Sequence, residues 1–391
     1  MALIKPDAAS FAKIKVLGIG GGGGNVLNSM IEGNKIKGVE FIAINTDCQA
    51  LLANQASTKI QIGKDLTRGL GSGGNPEIGR QAAEESRDII REYLAETDMV
   101  FLAGGMGGGT FTGGAPIIAE VAREVGALTI AVTTRPFAFE GTKRRVIAEE
   151  GIENLKDKVD TLIVIPNQKI MEVVDRKMTL LEAFKIVDSV LNQGVQGISE
   201  IITVPGLINV DFADVKAIMK DAGSSLLGIG TGVGENRAQI AAKAAIYSPL
   251  LDISIEGAKG ILFNITGGPD LTMFEVEEAA RLISESADAD ANIIFGATID
   301  ETMTDQIKII VIATGFDEDR LRLAKMMSKQ KTPIPEGIVS ELPEKKIDKI
   351  DLEEKTPEEK EEAKQEERRE ELPEDEFGEE FDIPTFLRQG K

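Results

Sequence analysis

Short apolar runs that alternate with helix-like segments are the feature that most restricts the fold of this chain. Residues 14–19, 41–45 and 99–103 are almost continuously apolar and rich in large aliphatic side chains. Strands that are buried on both faces have this pattern, because helices cover both sides of the sheet. The helix-like segments between the runs supply the crossovers that parallel strands need. The sequence therefore predicts an α/β fold built on a parallel sheet.

The later segments extend this pattern and then change it. Residues 180–202 are apolar at helical spacing and predict a long central helix, and Pro116 suits the first turn of a helix that reaches residue 125. The other predicted helices cover 25–32, 76–94 and 273–286, and the other predicted strands cover 128–132, 161–165, 261–265, 293–295 and 307–312. The predicted fold class is thus a Rossmann-like parallel-sheet domain, a long central helix and a second, smaller α/β domain.

An acidic tail follows these elements. Residues 341–380 hold 19 acidic and 8 basic residues. A segment of this composition has too few apolar side chains for burial to offset the entropy lost on ordering. We predict a disordered linker there, followed by a short apolar segment from Phe381 onward that is typical of a docking peptide.

Composition excludes several kinds of chemistry. The chain has no His, no Trp and only Cys48, so a Ser-His-Asp triad, an H-E-x-x-H zinc site and a four-cysteine metal cluster are all impossible. A formal net charge of −21 argues against nucleic acid and anionic membranes as partners. No stretch approaches 18 consecutive apolar residues, and the first 13 residues lack an apolar signal core. We therefore expect a cytoplasmic protein without direct membrane insertion.

Three glycine-rich segments point to the chemistry. Residues 18–24 follow the first predicted strand, residues 104–109 follow the strand at 99–103, and residues 69–74 form the third segment. Backbone without side chains can approach an anion closely, and the N–H groups at a helix N-terminus point at it. Together the segments predict a site for a phosphate-rich ligand at one end of the sheet. The Walker pattern is absent, so the phosphates would be held by backbone donors.

The first glycine segment alone leaves two other interpretations open. It fits a plain strand-to-helix turn, and its G-x-G-x-x-G spacing, with Glu40 about 20 residues further on, also fits an NAD-dependent oxidoreductase.

Residues 105–116 read GMGGGTFTGGAP, which resembles the signature of the tubulin/FtsZ GTPase family. The FtsZ branch, the bacterial cell-division GTPases, matches better than tubulin. The segments that match it, in family order, are 45–47, 69–76, 134–137, 165–167, 209–215 and 382–387. The resemblance implies a GTPase that polymerises head-to-tail into filaments of the cytokinetic ring at mid-cell. It also implies Mg²⁺ bridging the β- and γ-phosphates of GTP.

The resemblance also implies site residues. Phe184 offers a face for stacking on guanine, and Asp188 can accept from two neighbouring guanine N–H groups. Without the resemblance, Phe184 could equally be an ordinary core side chain, and Arg144 could be a solvent-exposed charge. The nucleotide-binding residues implied are Gly20, Gly21, Gly22, Gly23, Gly24, Asn25, Gly73, Gly74, Gly107, Gly108, Gly109, Thr110, Phe111, Glu140, Arg144, Asn167, Phe184 and Asp188.

The catalytic residues implied are Asn209, Asp211 and Asp214. In the family this loop is delivered by the next subunit onto the GTP of the previous one, so that neither half-site is complete alone. On the residues themselves, Asp211 and Asp214 also fit simple caps at a helix N-terminus.

One residue departs from the family signature, which has Gly where this chain has Phe111. A benzyl group beside the phosphates could occlude the nucleotide, strain the backbone or turn outward. We expect weakened GTP affinity or turnover, and the alternative function is a nucleotide-binding polymer or regulator with impaired hydrolysis.

The expected organisation assigns a role to each part of the chain. Residues 382–388 would bind membrane-adaptor and division proteins. The parts are an N-terminal extension (1–12), a GTP-binding domain (13–178), the central helix (179–203), the catalytic loop with the following helix (204–222), a C-terminal α/β domain (223–320), the acidic linker (321–380) and the adaptor-binding peptide (381–391).

Overall fold

A computed structural model of the chain describes residues 12–33, 36, 38–173, 177–204, 206–248 and 255–316. These residues form one ten-stranded sheet with the order β3-β2-β1-β4-β5-β6-β7-β10-β8-β9. The strands are β1 Ile14–Ile19, β2 Val39–Asn45, β3 Thr58–Gln61, β4 Met99–Gly105, β5 Leu128–Arg135, β6 Thr161–Pro166, β7 Gly223–Val233, β8 Gly260–Gly267, β9 Asn292–Ile299 and β10 Gln306–Thr314. Every pairing is parallel except those of β10 with β7 and β8. The predicted α/β class is therefore confirmed.

Helices cover the sheet on both faces, as separate core clusters show. They are α1 Gly20–Gly33, α2 Cys48–Ala53, α3 Lys64–Thr67, α4 Pro76–Glu85, α5 Arg87–Leu94, α6 Thr110–Glu124, α7 Thr142–Lys156, α8 Asn167–Val173, α9 Leu180–Thr203, α10 Phe212–Met219, α11 Arg237–Ile246 and α12 Met273–Ser286, with a 3-10 turn at Ala138–Glu140. None of the helices in the described ranges combines the length and apolar character needed to span a membrane.

The central helix α9 joins the two parts of the sheet. It begins with a capping box, in which the Thr179 hydroxyl accepts from the Glu182 N–H and the Glu182 carboxylate accepts from the Thr179 N–H. Gly194 and Gly197 let α9 approach Leu227 of β7 and Ile310 of β10 closely, because a Cβ at either position would lie only 2.7 Å from those side chains. The helix thus packs closely against β7 and β10, the first two strands beyond the β6–β7 junction.

Several predicted element boundaries are wrong. The first helix begins at Gly20, not at residue 25, and the segment 76–94 forms two helices that are separated at Ser86. Helix α6 begins at Thr110, so Pro116 lies inside it and not in its first turn. Gly113 allows α6 to pack directly on α4, because a Cβ at this position would overlap the Pro76 carbonyl of α4. Close packing of α4 against α6 therefore overrides the low helix propensity of this sequence.

The sequence analysis also missed α2, β3, α3, α7, α8, β7 and α11. Strand β7 is hard to recognise because Gly228, Gly230 and Gly232 interrupt its apolar pattern. A Cβ at each of these positions would overlap a backbone carbonyl of α11, so the helix lies directly on the strand. The predicted acidic linker and adaptor-binding peptide lie outside the described residues.

Candidate functional site

The three glycine-rich segments meet where α6 begins. A Cβ on Gly20 would lie 3.4 Å from Cβ of Thr110, and one on Gly22 would lie 3.6 Å from the backbone nitrogen of Gly105. The third segment follows α3, but a β-bridge between Asp47 and Leu70 holds it beside the end of β2. The segments therefore form one continuous surface at the carboxyl ends of β1, β2 and β4.

Two helix N-termini face this surface. Helix α1 begins at Gly20, directly after β1, and α6 begins at Thr110, directly after residues 106–109. The first N–H groups of a helix have no partner within it, and the helix dipole adds partial positive charge. The electrostatics of this end of the sheet therefore suit an anion such as a phosphate group.

The glycines of the site fall into two groups. Gly23 and Gly107 are required by the fold, because a Cβ on Gly23 would overlap the Ala103 carbonyl and Gly107 has a φ of +89°. Gly21 and Gly108 are different: apart from adjoining backbone, no atom of the described residues lies within 4 Å of a Cβ placed on either, and neither has a positive φ. Nothing in the described protein requires glycine at these two positions, so the space beside them is open to a ligand.

Beside the glycine surface lies a cavity that brings together side chains from distant parts of the sequence. Met106, Pro136 and Val187 form part of its wall. The predicted nucleotide-binding residues that line it are Gly22, Asn25, Glu140, Arg144, Asn167, Phe184 and Asp188.

Two acceptors in this cavity suit a ligand with N–H donors. Asn167 is buried, and its Oδ1 atom has no hydrogen-bond partner among the residues that the structure describes. Burial raises the pKa of the Asp188 carboxyl to about 6. A buried acceptor without a partner is costly, as is a desolvated carboxylate. Donors from a ligand would relieve both costs.

The Asp188 pKa predicts a pH-dependent effect on stability. Because this pKa is higher in the folded chain than in the unfolded chain, the free energy of unfolding falls as the pH rises from about 4 through about 6. Asp188→Asn should therefore stabilise the nucleotide-free protein by about 2 kcal/mol at pH 8, and by about half as much at pH 5. Urea denaturation over this pH range, with Asp290→Asn at an exposed carboxylate as control, measures the gain. A gain that is independent of pH would contradict the prediction.

An aromatic group borders the cavity. The Phe184 ring is 38% exposed and contacts the buried Phe137 ring edge-on, with centroids 5.5 Å apart, and Phe137 stacks on Phe139 at 5.0 Å. Phe184 is thus not an ordinary core residue, because part of its ring remains accessible beside the cavity.

The Glu140 carboxylate has fixed partners. It accepts from the Phe137 N–H at 2.8 Å and pairs with Arg144 Nη1 at 3.0 Å. Arg144 is therefore paired within the protein, and it is half exposed at the edge of the cavity.

The predicted catalytic residues do not join this site. Asn209, Asp211 and Asp214 are exposed and follow the C-terminus of α9, whereas Phe184 and Asp188 lie near its N-terminus. At about 1.5 Å per residue, this helix is about 36 Å long. Asp211 is the N-cap of α10, since its Oδ1 accepts from the Asp214 N–H at 2.8 Å. The capping role is thus present, and a catalytic role stays a prediction.

The structure contradicts two of the reasons given for an effect of Phe111, occlusion of the nucleotide and backbone strain, whereas weakened GTP affinity or turnover stays a prediction. The residue lies in the first turn of α6 without a positive φ, and its side chain is only 3% exposed within the core between α6 and the sheet. Its ring packs against Gly104 of β4, where a Cβ would overlap it. The backbone is not strained and the ring does not cover the glycine surface, so neither of these two reasons for expecting impaired hydrolysis holds.

Sequence reasoning missed two residues of this region. The hydroxyl groups of Thr46 and Ser72 both contact the Thr110 hydroxyl. Both lie within segments that carried the family resemblance, but a hydroxyl in a loop gives no signal of its own in a single sequence.

Comparisons with known proteins agree with this architecture. Residues 13–175 match the family model for the GTPase domain of the Tubulin/FtsZ family, and residues 223–317 match the model for the C-terminal domain of the FtsZ family. An empty FtsZ dimer from M. jannaschii has 48% sequence identity and a TM-score of 0.76, over 79% of this chain and 90% of that one. A mutant of the same M. jannaschii protein has 48% identity and a TM-score of 0.75, over 78% and 91% of the two chains. CetZ2 from Haloferax volcanii shares the fold at 21% identity, with a TM-score of 0.66 over 81% of this chain and all of that one.

Proposed function

The chain belongs to the FtsZ family of tubulin-like GTPases, and on this premise we propose that it hydrolyses GTP between the subunits of a head-to-tail filament. The phosphates of GTP would lie on the N-termini of α1 and α6, and guanine would occupy the cavity beside them. Phe184 would stack on the base, and Asn167 and Asp188 would accept from its N–H groups. Glu140 and Arg144 would lie near the ribose and the phosphates.

The observation that supports this proposal most directly is the open space beside Gly21 and Gly108. Neither packing within the described protein nor backbone conformation explains glycine at these positions. A triphosphate that lies against the backbone does explain it, because a side chain there would displace the phosphates.

This interpretation predicts that Gly21→Ala and Gly108→Ala separate binding from stability. Each should lower the affinity for GDP and GTP by about tenfold or more, because the added methyl group occupies the space of the phosphates. The melting temperature of the nucleotide-free protein should not fall in either variant. At position 21, which lies in helix α1, alanine is more favourable than glycine by up to about 1 kcal/mol. At position 108 the added methyl group enters open space. Calorimetric titration and thermal melting measure the two effects.

Two further variants serve as controls. Gly114→Ala lies inside α6 and meets only ordinary contacts at 3.5 Å, so it should leave the nucleotide affinity unchanged and should not lower the melting temperature. Gly23→Ala should destabilise the fold itself, since its Cβ would overlap Ala103. Stabilisation of the parent protein by NAD but not by GDP would instead support a dinucleotide-dependent enzyme.

Hydrolysis would require a second copy. The distance along α9 prevents Asp211 and Asp214 from reaching the nucleotide of their own chain, so we propose that they orient and polarise the attacking water on a neighbour's GTP, with Asn209 beside them. Contacts of this kind join two different surfaces and do not close, so they generate a filament. The dimer of the M. jannaschii relative supports self-association.

Exposed apolar side chains at both ends of the molecule fit such contacts. Near the nucleotide cavity these side chains are Phe139, Leu180 and Leu181. Near the catalytic loop they are Leu207, Ile208, Met273 and Phe274. An antiparallel bridge joins Ile208 to Ala297 of β9, and α12 begins just after β8, so the second group lies at one end of the β8–β9 pair.

The chain's own side chains fit an Mg²⁺ ion that arrives with the nucleotide. Within the described ranges, no three acidic or cysteine side chains come together as a metal site. Mg²⁺ needs few protein ligands when phosphate oxygens and water supply the rest, and its role would be to neutralise charge on the β- and γ-phosphates.

In the cell, the filaments would form the cytokinetic ring at mid-cell. The terminal peptide, residues 382–388, would bind the adaptors that link the ring to the membrane. Deleting residues 381–391 should then leave GTP-dependent sedimentation unchanged and abolish recruitment to the division site, which a fluorescent fusion would reveal.

A further inference from the structure

Three buried hydroxyl groups meet beneath the glycine surface. The Thr110 Oγ1 atom lies 2.8 Å from Oγ1 of Thr46 and 3.1 Å from Oγ of Ser72. These residues come from three different segments: the end of β2, the glycine segment 69–74 and the first residue of α6. Their exposed fractions are 0% for Thr46, 6% for Ser72 and 8% for Thr110. Hydrogen bonds within the protein therefore decide how these hydroxyls are oriented.

Counting protons shows that one donor is left over. Each hydroxyl carries one proton, and the two contacts of the group use two of the three. Thr46 is fully buried, so leaving its proton without an acceptor would cost desolvation energy. The arrangement with the lowest cost therefore has Thr46 donating to Thr110. The unused proton then belongs to Thr110 or to Ser72, the two members at the glycine surface.

The backbone around Ser72 is held firmly in place. The Gly71 N–H donates to the Thr46 carbonyl at 3.2 Å, and the Asn75 N–H donates to the Ser72 carbonyl at 3.1 Å. Gly109, just before α6, packs so closely on Ser72 that a Cβ would overlap its hydroxyl. Next to Ser72, Gly73 and Gly74 are exposed and left-handed. Ser72 is thus a fixed polar group between the start of α6 and two open glycines.

We propose that Ser72 and Thr110 together present this hydroxyl proton to the terminal phosphate of GTP, and that Thr46 is a positioning residue that sets the direction of their hydrogen bond. The inference rests on the proposed function, because it takes the open glycines to be the site of the phosphates. GDP lacks the terminal phosphate, so the hydroxyl group makes the protein select GTP over GDP.

The test compares GDP with a GTP analogue that has a methylene group between its β- and γ-phosphates. Ser72→Ala should lower the affinity for the analogue by about 10- to 100-fold, the range for a hydrogen bond to a charged group, and the affinity for GDP by less than about twofold. Thr46→Val should lower the ratio of analogue affinity to GDP affinity by a smaller factor than Ser72→Ala does. Thr46→Ser, which keeps the hydroxyl, should have the parental ratio. Calorimetric titration of the full chain with each ligand gives both affinities.

Ser225→Ala is the matched control, because it removes another buried serine hydroxyl from a strand in the second part of the sheet. It should leave the affinity ratio unchanged. If Ser72→Ala lowers both affinities equally, or neither, the inference is wrong while the proposed function stands. If the parent protein binds neither GDP nor the analogue, the proposed function itself is wrong.

Discussion

Asp211→Asn is expected to lower the kcat of GTP hydrolysis by about 10²- to 10⁴-fold, the usual contribution of a group that activates water. Asparagine keeps an Oδ1 atom that can accept from the Asp214 N–H, so the cap of α10 and the fold should survive. The charge that would polarise the water is lost. GTP affinity should not change, because Asp211 lies far from the nucleotide cavity of its own chain. Steady-state hydrolysis, calorimetry and thermal melting measure these three effects.

Comparison with alanine separates the two roles of Asp211. Asp211→Ala should lose the same activity and, in addition, about 1 kcal/mol of stability with the cap. Glu301→Gln, which neutralises an exposed carboxylate just after β9, should keep the parental kcat. If Asp211→Asn hydrolyses GTP at the parental rate, the residue is only a cap.

Mixing two variants with complementary defects, at a GTP concentration too low to occupy Gly108→Ala, tests whether the active site lies between subunits. Asp211→Asn binds GTP but lacks the carboxylate, whereas Gly108→Ala binds GTP poorly but retains it. An interface that joins the cavity of the first variant to the loop of the second is complete. Random mixing in a heterologous filament should make roughly a quarter of the interfaces complete, so activity should return toward that fraction. No recovery at any mixing ratio would contradict catalysis between subunits.

The sequence predicted the strands better than the helix boundaries. Strand β1 and helix α12 agree residue for residue, because both have a strong local pattern: β1 is apolar at every position but Lys15 and Gly18, and α12 begins with the Thr272–Glu275 capping box. Helix α6 and strand β7 were misplaced or missed because their glycines serve close approaches between elements. Such approaches are tertiary, so no local periodicity reveals them.

Local sequence likewise predicted some parts of the candidate site and not others. Glycine segments after apolar runs indicate a phosphate site by local chemistry alone. The side chains around the cavity, such as Arg144 and Asp188, gave no such signal, and only the family resemblance singled them out. The fold shows that these side chains line one cavity and that Asp211 lies far from it. The hydroxyl group of Thr46, Ser72 and Thr110 was not foreseen, since its members are ordinary residues until the sheet brings them together.

The placement of the Phe111 ring was misjudged for a related reason, since its side chain was considered without the residue beneath it. The signature of the family has Gly at this position, and here the larger ring is accommodated because position 104 has no side chain. A large residue on α6 and a glycine on β4 thus form a complementary pair. The phosphate-binding backbone of α6 is left in place above them.

This pairing predicts strong coupling between the two positions. Gly104→Ala alone should cost about 2 to 4 kcal/mol, because the new methyl group overlaps the Phe111 ring in a closely packed core. Phe111→Ala alone should cost about 3 to 5 kcal/mol through loss of burial and a cavity. In the double variant the new methyl group no longer overlaps a ring. The loss of stability in the double variant should therefore be smaller than the sum of the two single losses by about 1 to 3 kcal/mol. Urea denaturation of the four proteins in this cycle measures the coupling, with Gly114→Ala as the control for adding a methyl group to α6. Additivity within about 0.5 kcal/mol would show that the ring and Gly104 are independent.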